Sequence, residues 1–128
     1  MKDKTHIKFE KFKKALTSLE AIYLQLPRKD RSNIDATIQR FEFTFELCWK
    51  FLKDFFLEKD IALNYPKEVI GQAFSVGMID NETLWVQMLT DRNMTSHTYD
   101  EQLADQIFKR IQGYVPELRR LCDDAERG

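Results

Sequence analysis

Hydrophobic positions recur at helical spacing along most of the chain, and the longest such stretch spans residues 34–57. One face of this segment consists of Ile34, Ile38, Phe41, Phe45, Cys48, Leu52 and Phe55. A second apolar set beside it consists of Phe43, Leu47, Trp49 and Phe51. A helix that is apolar over most of its circumference must be covered on several sides. We therefore expect neighbouring helices to cover one side and a second copy of the molecule to cover another.

The chain before this segment predicts a first helix over residues 5–26, because apolar residues repeat there at helical spacing and Pro27 follows them. The polar link between the two helices contains Asp30, Ser32 and Asn33, which are the candidate N-caps of the second helix. Two long amphipathic segments joined by a short polar link are typical of an antiparallel helical hairpin.

Two shorter helices are predicted next. Pro66 suits the first turn of a short third helix, and Gly77 suits its C-terminal end. Asp80 or Asn81 can cap a fourth helix, whose apolar residues face inward.

The helical pattern resumes at residue 100 and continues almost to the end of the chain. Thr98 and Glu101 have the spacing of a capping box for this last helix. Gly113 and Pro116 are expected to bend or interrupt it about halfway.

Composition agrees with an all-helical protein. The chain has 128 residues, of which 43% are hydrophobic, with only 4 glycines and 3 prolines. We predict an all-α fold, an up-and-down four-helix bundle with an additional short helix, in a single domain over residues 1–128.

Charge and cysteine usage narrow the functional classes. The formal net charge of -1 excludes a global basic field, so any contact with RNA must be local. The basic residues of the N-terminal segment and of residues 28–31 are local candidates, although a solvated surface is the simpler interpretation of both. No segment is suited to span a membrane or to act as a signal peptide, which favours a cytoplasmic protein. Cys48 and Cys122 lack metal-ligand spacing and are expected to be free thiols.

The densest group of chemically active residues is DRNMTSHTYDE, residues 91–101. Arg92 follows Trp85 by seven residues and Leu89 by three, which predicts that it faces the apolar side of the fourth helix. An inward arginine needs an anionic or hydrogen-bonding partner. That partner is either a phosphate or one of four nearby carboxylates: Glu42, Glu46, Asp91 and Asp100.

His97 stands five residues after Arg92, which on an unbroken helix separates the two side chains by roughly 140°. They can meet at one ligand only if the helix breaks near Thr95 or if a dimer brings two copies together. Asn93 would share a helix face with His97 and could orient its imidazole. Tyr99 would offer its hydroxyl to the same region.

The sequence RNMTSHTYDE, together with RFEFTFELCWKFLKDF upstream, resembles the nucleotidyltransferase substrate-binding proteins of the HEPN superfamily. The resemblance implies a helical bundle, similar to the C-terminal domain of kanamycin nucleotidyltransferase and commonly a dimer. It also implies a complex with a minimal nucleotidyltransferase encoded by a neighbouring gene. Many such pairs look like toxin–antitoxin modules, in which the HEPN protein is a metal-independent ribonuclease and the transferase neutralises it, in some cases by adenylylating the motif tyrosine.

On this chain the resemblance implies that Arg92 and His97 are the catalytic residues of a ribonuclease and that Asn93 and Ser96 bind substrate. It implies that Tyr99 is the modification site and that no metal or cofactor is needed. The homodimer would form through the second helix or through the motif cleft. The alternative is a noncatalytic subunit that binds a substrate or nucleotide and presents it to the transferase. The chain lacks both a P-loop and the Gly-Ser and Asp-x-Asp signature of a transferase, which indicates the companion subunit.

Overall fold

Five α-helices and one 3-10 turn form the computed structural model, which describes residues 1–28 and 30–128. The elements are α1 (Asp3–Glu20), α2 (Ser32–Leu57), α3 (Pro66–Ser75), α4 (Glu82–Asn93), the 3-10 turn (Thr95–His97) and α5 (Glu101–Arg127). No strand occurs in these two ranges. The predicted all-α bundle and its short third helix are therefore confirmed. Lys29, part of the predicted basic cluster at residues 28–31, lies outside the described residues.

The long helix α2 is the centre of the bundle and contacts each of the other four helices. Its Phe51 is fully buried, with its ring 5.1 Å from that of Phe9 and stacked 6.3 Å from that of Phe12. Part of the second apolar face of α2 is thus covered within the chain. Phe43 remains exposed, whereas Leu47 and Trp49 are half-buried. The apolar surface left for a second copy is therefore smaller than the sequence suggested.

The first helix is shorter than predicted, because α1 ends at Glu20 instead of residue 26. The chain then turns, and the carbonyl groups of Gln25 and Leu26 accept hydrogen bonds of 3.2 and 2.7 Å from the Asn33 side-chain amide. Asn33 therefore ties the loop to α2 and is not the N-cap of that helix. The N-cap position belongs to Arg31, so the prediction of Asp30, Ser32 or Asn33 is wrong. Asp30 nevertheless accepts a hydrogen bond from the Ser32 N–H at 3.1 Å.

Two of the predicted helix termini are confirmed. The Asn81 side chain accepts a hydrogen bond from the Leu84 N–H at 3.0 Å and so caps α4. Gly77 follows α3 with a φ of 80°, a left-handed conformation that glycine adopts at little cost.

The start of the last helix differs from the prediction. Asp100 caps α5, since its carboxylate accepts hydrogen bonds from the N–H groups of Gln102 and Leu103. The Thr98 hydroxyl instead donates to the Thr95 carbonyl at 3.0 Å, so the predicted capping box is wrong.

The middle of the last helix also differs from the prediction. The helix α5 runs without interruption through Gly113 and Pro116. Both residues lie on its exposed side, and buried neighbours such as Tyr114 and Val115 hold the helix against the core.

The two cysteines are buried and free, as expected. None of the helices in the described part of the chain is both long enough and apolar enough to cross a bilayer.

Candidate functional site

Arg92 lies in the last turn of α4 and reaches across to α2. Its Nη2 forms an ion pair with the Glu46 carboxylate, and about a quarter of the side chain remains exposed (24%). Glu46 is one of the four carboxylates that the sequence offered as partners. The expectation that Arg92 turns towards the helical core and needs an anionic partner is confirmed.

Glu46 has two further partners on its own helix. The Trp49 indole donates to its carboxylate at 3.1 Å, and the Lys50 ammonium lies 3.2 Å from it. Burial by itself raises the pKa of Glu46, but the hydrogen bonds from Arg92, Trp49 and Lys50 outweigh that effect and the net pKa is lowered. Glu46 is therefore an anion that holds the guanidinium in one orientation.

The chain breaks from α-helix directly after this arginine. The helix α4 ends at Asn93, and residues 95–97 form a 3-10 turn. This is the break near Thr95 that was one of the two conditions for Arg92 and His97 to share a ligand. The Asn93 amide oxygen accepts a hydrogen bond of 2.8 Å from Arg92 Nη1. The expected contact between Asn93 and the His97 imidazole is wrong, because the helix ends before it can place the two side chains on one face.

An open groove of about 460 Å³ lies beside the guanidinium. It is lined by Glu42, Phe43 and Glu46 of α2 and by Arg92, Asn93, Thr95 and Ser96, and we refer to it as the arginine groove. Three of the five predicted site residues therefore line one surface: Arg92, Asn93 and Ser96.

The other two residues lie outside this lining. His97 is exposed, and its ring is packed edge-on against that of Tyr99, with 6.2 Å between the ring centroids. Tyr99 is 84% exposed. One chain thus presents an arginine groove and, beside it, a separate exposed pair of His97 and Tyr99.

A buried polar cluster next to the site was missed by the sequence reasoning. Asp91 is almost inaccessible, and its carboxylate accepts two hydrogen bonds of 2.8 Å from Arg110 and one of 2.5 Å from the Tyr114 hydroxyl. Burial and this hydrogen bond raise the pKa of Tyr114 above its usual range. The cluster joins α4 to α5 immediately before Arg92 and so fixes the position of that residue.

Two signals in the sequence could have revealed this cluster. Asp91 follows Met88 by three residues, which places a carboxylate on the apolar face of α4. Arg110 and Tyr114 are four residues apart and therefore adjoin one another on α5. An inward carboxylate requires such partners.

The arginine groove contains one group that can bind an anion, the Arg92 guanidinium, which lies beside the carboxylates of Glu42 and Glu46. A guanidinium carries five N–H donors, and only part of that capacity is used by Glu46 and Asn93. The groove is open and Arg92 is part of its wall, and a guanidinium is well shaped to bind a phosphate. Among the described residues, no three His, Cys, Asp or Glu side chains are grouped as metal ligands.

Comparisons with known proteins agree with this fold. The chain is 34% identical over 99 residues to a Haemophilus influenzae protein named "Probable ribonuclease HepT", an alignment that covers 73% of this chain and 68% of the relative. A crystal structure from Thermus thermophilus superposes with a TM-score of 0.82 and 36% identity, covering 88% of this chain and 97% of the other.

A structure from Haemophilus influenzae is described as revealing the fold of a substrate-binding domain of a nucleotidyltransferase. It superposes with a TM-score of 0.67 and 26% identity and covers 94% of this chain and 95% of the other. The family model described as "Nucleotidyltransferase substrate binding protein like" matches residues 7–127. The chain therefore belongs to the family of nucleotidyltransferase substrate-binding proteins.

Proposed function

We propose that this chain is the partner subunit of a minimal nucleotidyltransferase and that a dimer of it is a metal-independent ribonuclease, using Arg92 and His97. The proposal rests on one observation above all: the Arg92 guanidinium is oriented by Glu46 and Asn93 at the wall of an open groove. The name of the Haemophilus relative, a probable ribonuclease, supports the same activity.

The chemistry requires three groups around one phosphate. A base removes the proton of the RNA 2′-hydroxyl, and the 2′-oxygen attacks the adjacent phosphorus. The bond from phosphorus to the 5′-oxygen then breaks, and an acid protonates that oxygen, which leaves a 2′,3′-cyclic phosphate and a 5′-hydroxyl. Arg92 stabilises the charge that develops on the phosphate, and His97 supplies the base or the acid.

Two copies of the chain are needed because one chain has a single His97, and it lies outside the arginine groove. A two-fold contact along the 3-10 turn would bring two histidines and two arginines around one cleft. We therefore propose that the dimer forms at the motif cleft, where both Arg92 and His97 lie, although Phe43 on the second apolar face of α2 is also exposed.

The ribonuclease activity is tested by incubating the purified chain with RNA in EDTA. We expect cleavage by the wild type and its loss in Arg92→Ala and in His97→Ala. His6→Ala is the matched control, because His6 is the other histidine of the sequence and is exposed on α1. Cleavage that survives in both site variants would overturn the assignment.

A shared site is tested by mixing wild-type chains with inactive His97→Ala chains. If one cleft needs the histidines of both subunits, mixed dimers are inactive and the activity falls with the square of the wild-type fraction. A fall in direct proportion to that fraction, with mixed dimers demonstrated by native mass spectrometry, would show that each chain carries a complete site.

A toxin role is tested by expressing the chain alone in cells. We expect slower growth, and we expect either Arg92→Ala or His97→Ala to relieve it. Co-expression of the cognate nucleotidyltransferase should restore growth. Variants that remain toxic would contradict the catalytic assignment.

Tyr99 is the proposed site at which the partner restrains the toxin. Its hydroxyl would attack the α-phosphorus of ATP, with pyrophosphate as the leaving group, and the bound adenylyl group would lie beside His97. The exposure of Tyr99 gives a transferase access to it. Mass spectrometry after incubation with the partner and ATP should show added adenylyl groups that are absent from Tyr99→Phe.

A noncatalytic subunit that presents a substrate or nucleotide is the second candidate. It is favoured by the ion pair itself, because Glu46 already neutralises Arg92 in the free chain. It is also favoured by the description of a structural relative as a substrate-binding domain. This function predicts no RNA cleavage by the chain, but a transferase activity that depends on the complex.

A further inference from the structure

A second groove adjoins the arginine groove on the other side of α2. It has a volume of about 490 Å³ and lies between α1 and α2, where Lys11, Lys14 and Ala15 face Phe43 and Leu47. We refer to it as the lysine groove. Phe43 and Glu46 line both grooves, so the two grooves form one continuous surface.

Phe43 is the exposed residue at the boundary of the two grooves. Its side chain is 53% exposed, whereas Phe41, Phe45 and Phe51 on the same helix are almost completely buried. The fold gains little from an aromatic ring in this position. An exposed flat ring between two grooves is suited to stack against another flat ring.

The lysine groove carries cations that the fold does not use. Lys8 is paired with Asp54 at 2.8 Å, and Lys13 is paired with Glu126 at 2.6 Å. Lys11 and Lys14 are exposed, and neither takes part in any ion pair found within residues 1–28 and 30–128. The protein has a net charge of only -1, so these two charges act locally.

We propose that the lysine groove and Phe43 bind the single-stranded RNA that flanks the phosphate held at Arg92. Phe43 stacks on a base, and Lys11 and Lys14 bind phosphates on the far side of that base. A cationic groove with an aromatic platform is the general means by which proteins hold single strands without reading their sequence. This proposal rests on the proposed function, because it takes the phosphate at Arg92 to belong to RNA.

A second copy of the chain is the competing occupant of the same surface. A two-fold contact centred on Phe43 would bring the surface that carries Lys11 and Lys14 against the identical surface of the partner. The lysines of the two copies would then face one another across an apolar floor, while the Glu46 carboxylate of each groove is already paired with Arg92, and this arrangement is unfavourable. A polyanionic strand neutralises the same charges, so we assign the groove to RNA.

The test measures binding separately from cleavage. A fluorescein-labelled oligonucleotide of about 12 nucleotides covers the expected length of such a site, and 2′-O-methyl groups prevent attack by the 2′-oxygen. Fluorescence anisotropy in EDTA gives the Kd of the full-length protein at several salt concentrations. Circular dichroism and light scattering report the fold and the oligomeric state of each variant.

We expect Phe43→Ala and Phe43→Leu each to weaken binding by about tenfold, because both remove the stacking ring. Phe43→Trp should bind as well as the wild type. Phe74→Ala, which removes an exposed phenylalanine from α3, is the matched control and should leave the Kd unchanged.

The two lysines are tested through salt dependence. The variant K11A/K14A should lower the magnitude of the slope of log Kd against log salt concentration by about 1.4, the value for two phosphate contacts to a single strand. The variant K67A/K109A removes two exposed lysines from α3 and α5 and should leave the slope unchanged.

The outcomes distinguish this proposal from the ribonuclease proposal. If the wild-type protein binds the strand but does not cleave RNA, the ribonuclease proposal is contradicted and the proposed binding surface is retained. Failure of the wild type to bind, or equal binding by the Phe43 and lysine variants, would overturn the binding surface. Conversion of the Phe43 variants from dimer to monomer would assign the groove to a second copy instead.

Discussion

The carboxylate of Glu46 on α2 binds the guanidinium of Arg92 on α4, although the two residues lie 46 positions apart in the chain. This ion pair joins two helices at the wall of the arginine groove. It holds the Arg92 side chain against α2 and leaves some of the guanidinium N–H donors free to bind a phosphate.

Glu46→Gln should change the pH dependence of stability. The pKa of Glu46 is lowered in the folded chain from a reference value of 4.5. Its stabilising contribution is therefore fully present above pH 4.5 and is lost as the pH falls through the lower folded pKa. Urea denaturation should show that the wild type exceeds Glu46→Gln in unfolding free energy at neutral pH, with the difference shrinking in acid.

Glu42→Gln is the control for this experiment, because Glu42 lines the same groove without being the carboxylate that pairs with Arg92. If the difference in unfolding free energy between the wild type and Glu46→Gln stays constant from neutral to acid pH, the role of the ion pair is contradicted.

Asp91→Asn should destabilise the protein by about 2–3 kcal/mol. The neutral amide has no charge and only one acceptor oxygen, so it cannot replace the carboxylate that accepts both hydrogen bonds from Arg110. Tyr114→Phe should cost about 1–2 kcal/mol, since Asp91 keeps its arginine. Urea denaturation of both variants and of the double variant measures these values. Because the two residues share one network, the double variant should lose less unfolding free energy than the sum of the two single losses. A double loss equal to that sum would count against a coupled cluster.

The same cluster illustrates how far the sequence predicts this site. Apolar periodicity predicted which way α4 faces, and hence that Arg92 turns towards the other helices. A break near Thr95 was one of the two conditions under which Arg92 and His97 could share a ligand, and the 3-10 turn is found there. Periodicity describes one helix at a time, however. It could place Asp91 on the inner face of α4, but it could not select Glu46 among four carboxylates or pair Asp91 with residues of α5.

The helix ends show the same limit. Side chains outside a local pattern bind the backbone near these ends, as when the Asn33 amide binds the carbonyls of Gln25 and Leu26 in the loop after α1. A local capping pattern such as Thr98 with Glu101 competes with a neighbour, Asp100, that bonds two N–H groups at once. The distance between Arg92 and His97 in an assembly depends on a second chain, which one sequence does not specify.

Both cysteine thiols should resist alkylation in the native protein. Burial raises the pKa of Cys48 above its usual range and that of Cys122 to about 11, so little reactive thiolate forms near neutral pH. Iodoacetamide should modify neither residue at pH 8 in buffer and both in urea, as read by mass spectrometry. Rapid native labelling of Cys122 would indicate that the C-terminal part of α5 opens.

Phe51→Ala and Phe43→Ala form a matched pair on one helix. Phe51 is enclosed by Phe9 and Phe12, so its truncation leaves a cavity and should cost about 3–5 kcal/mol. Phe43 is exposed, and its truncation should change stability by less than about 0.5 kcal/mol. Urea unfolding followed by circular dichroism gives both values. A large loss for Phe43→Ala would mean that its ring is covered in the native assembly.

Gly113→Ala should stabilise the protein by about 0.5–1 kcal/mol, because alanine restricts the unfolded chain and is favoured over glycine inside a helix. A methyl group at this position meets no atom within 4 Å, so it introduces no clash. Gly77→Ala is the opposite case, since its φ of +80° is strained for alanine, and it should lose about 1–2 kcal/mol. Thermal and urea denaturation measure both variants. Destabilisation by Gly113→Ala would show that α5 needs its glycine, either for a bend in the helix or for close contact with a partner at that surface.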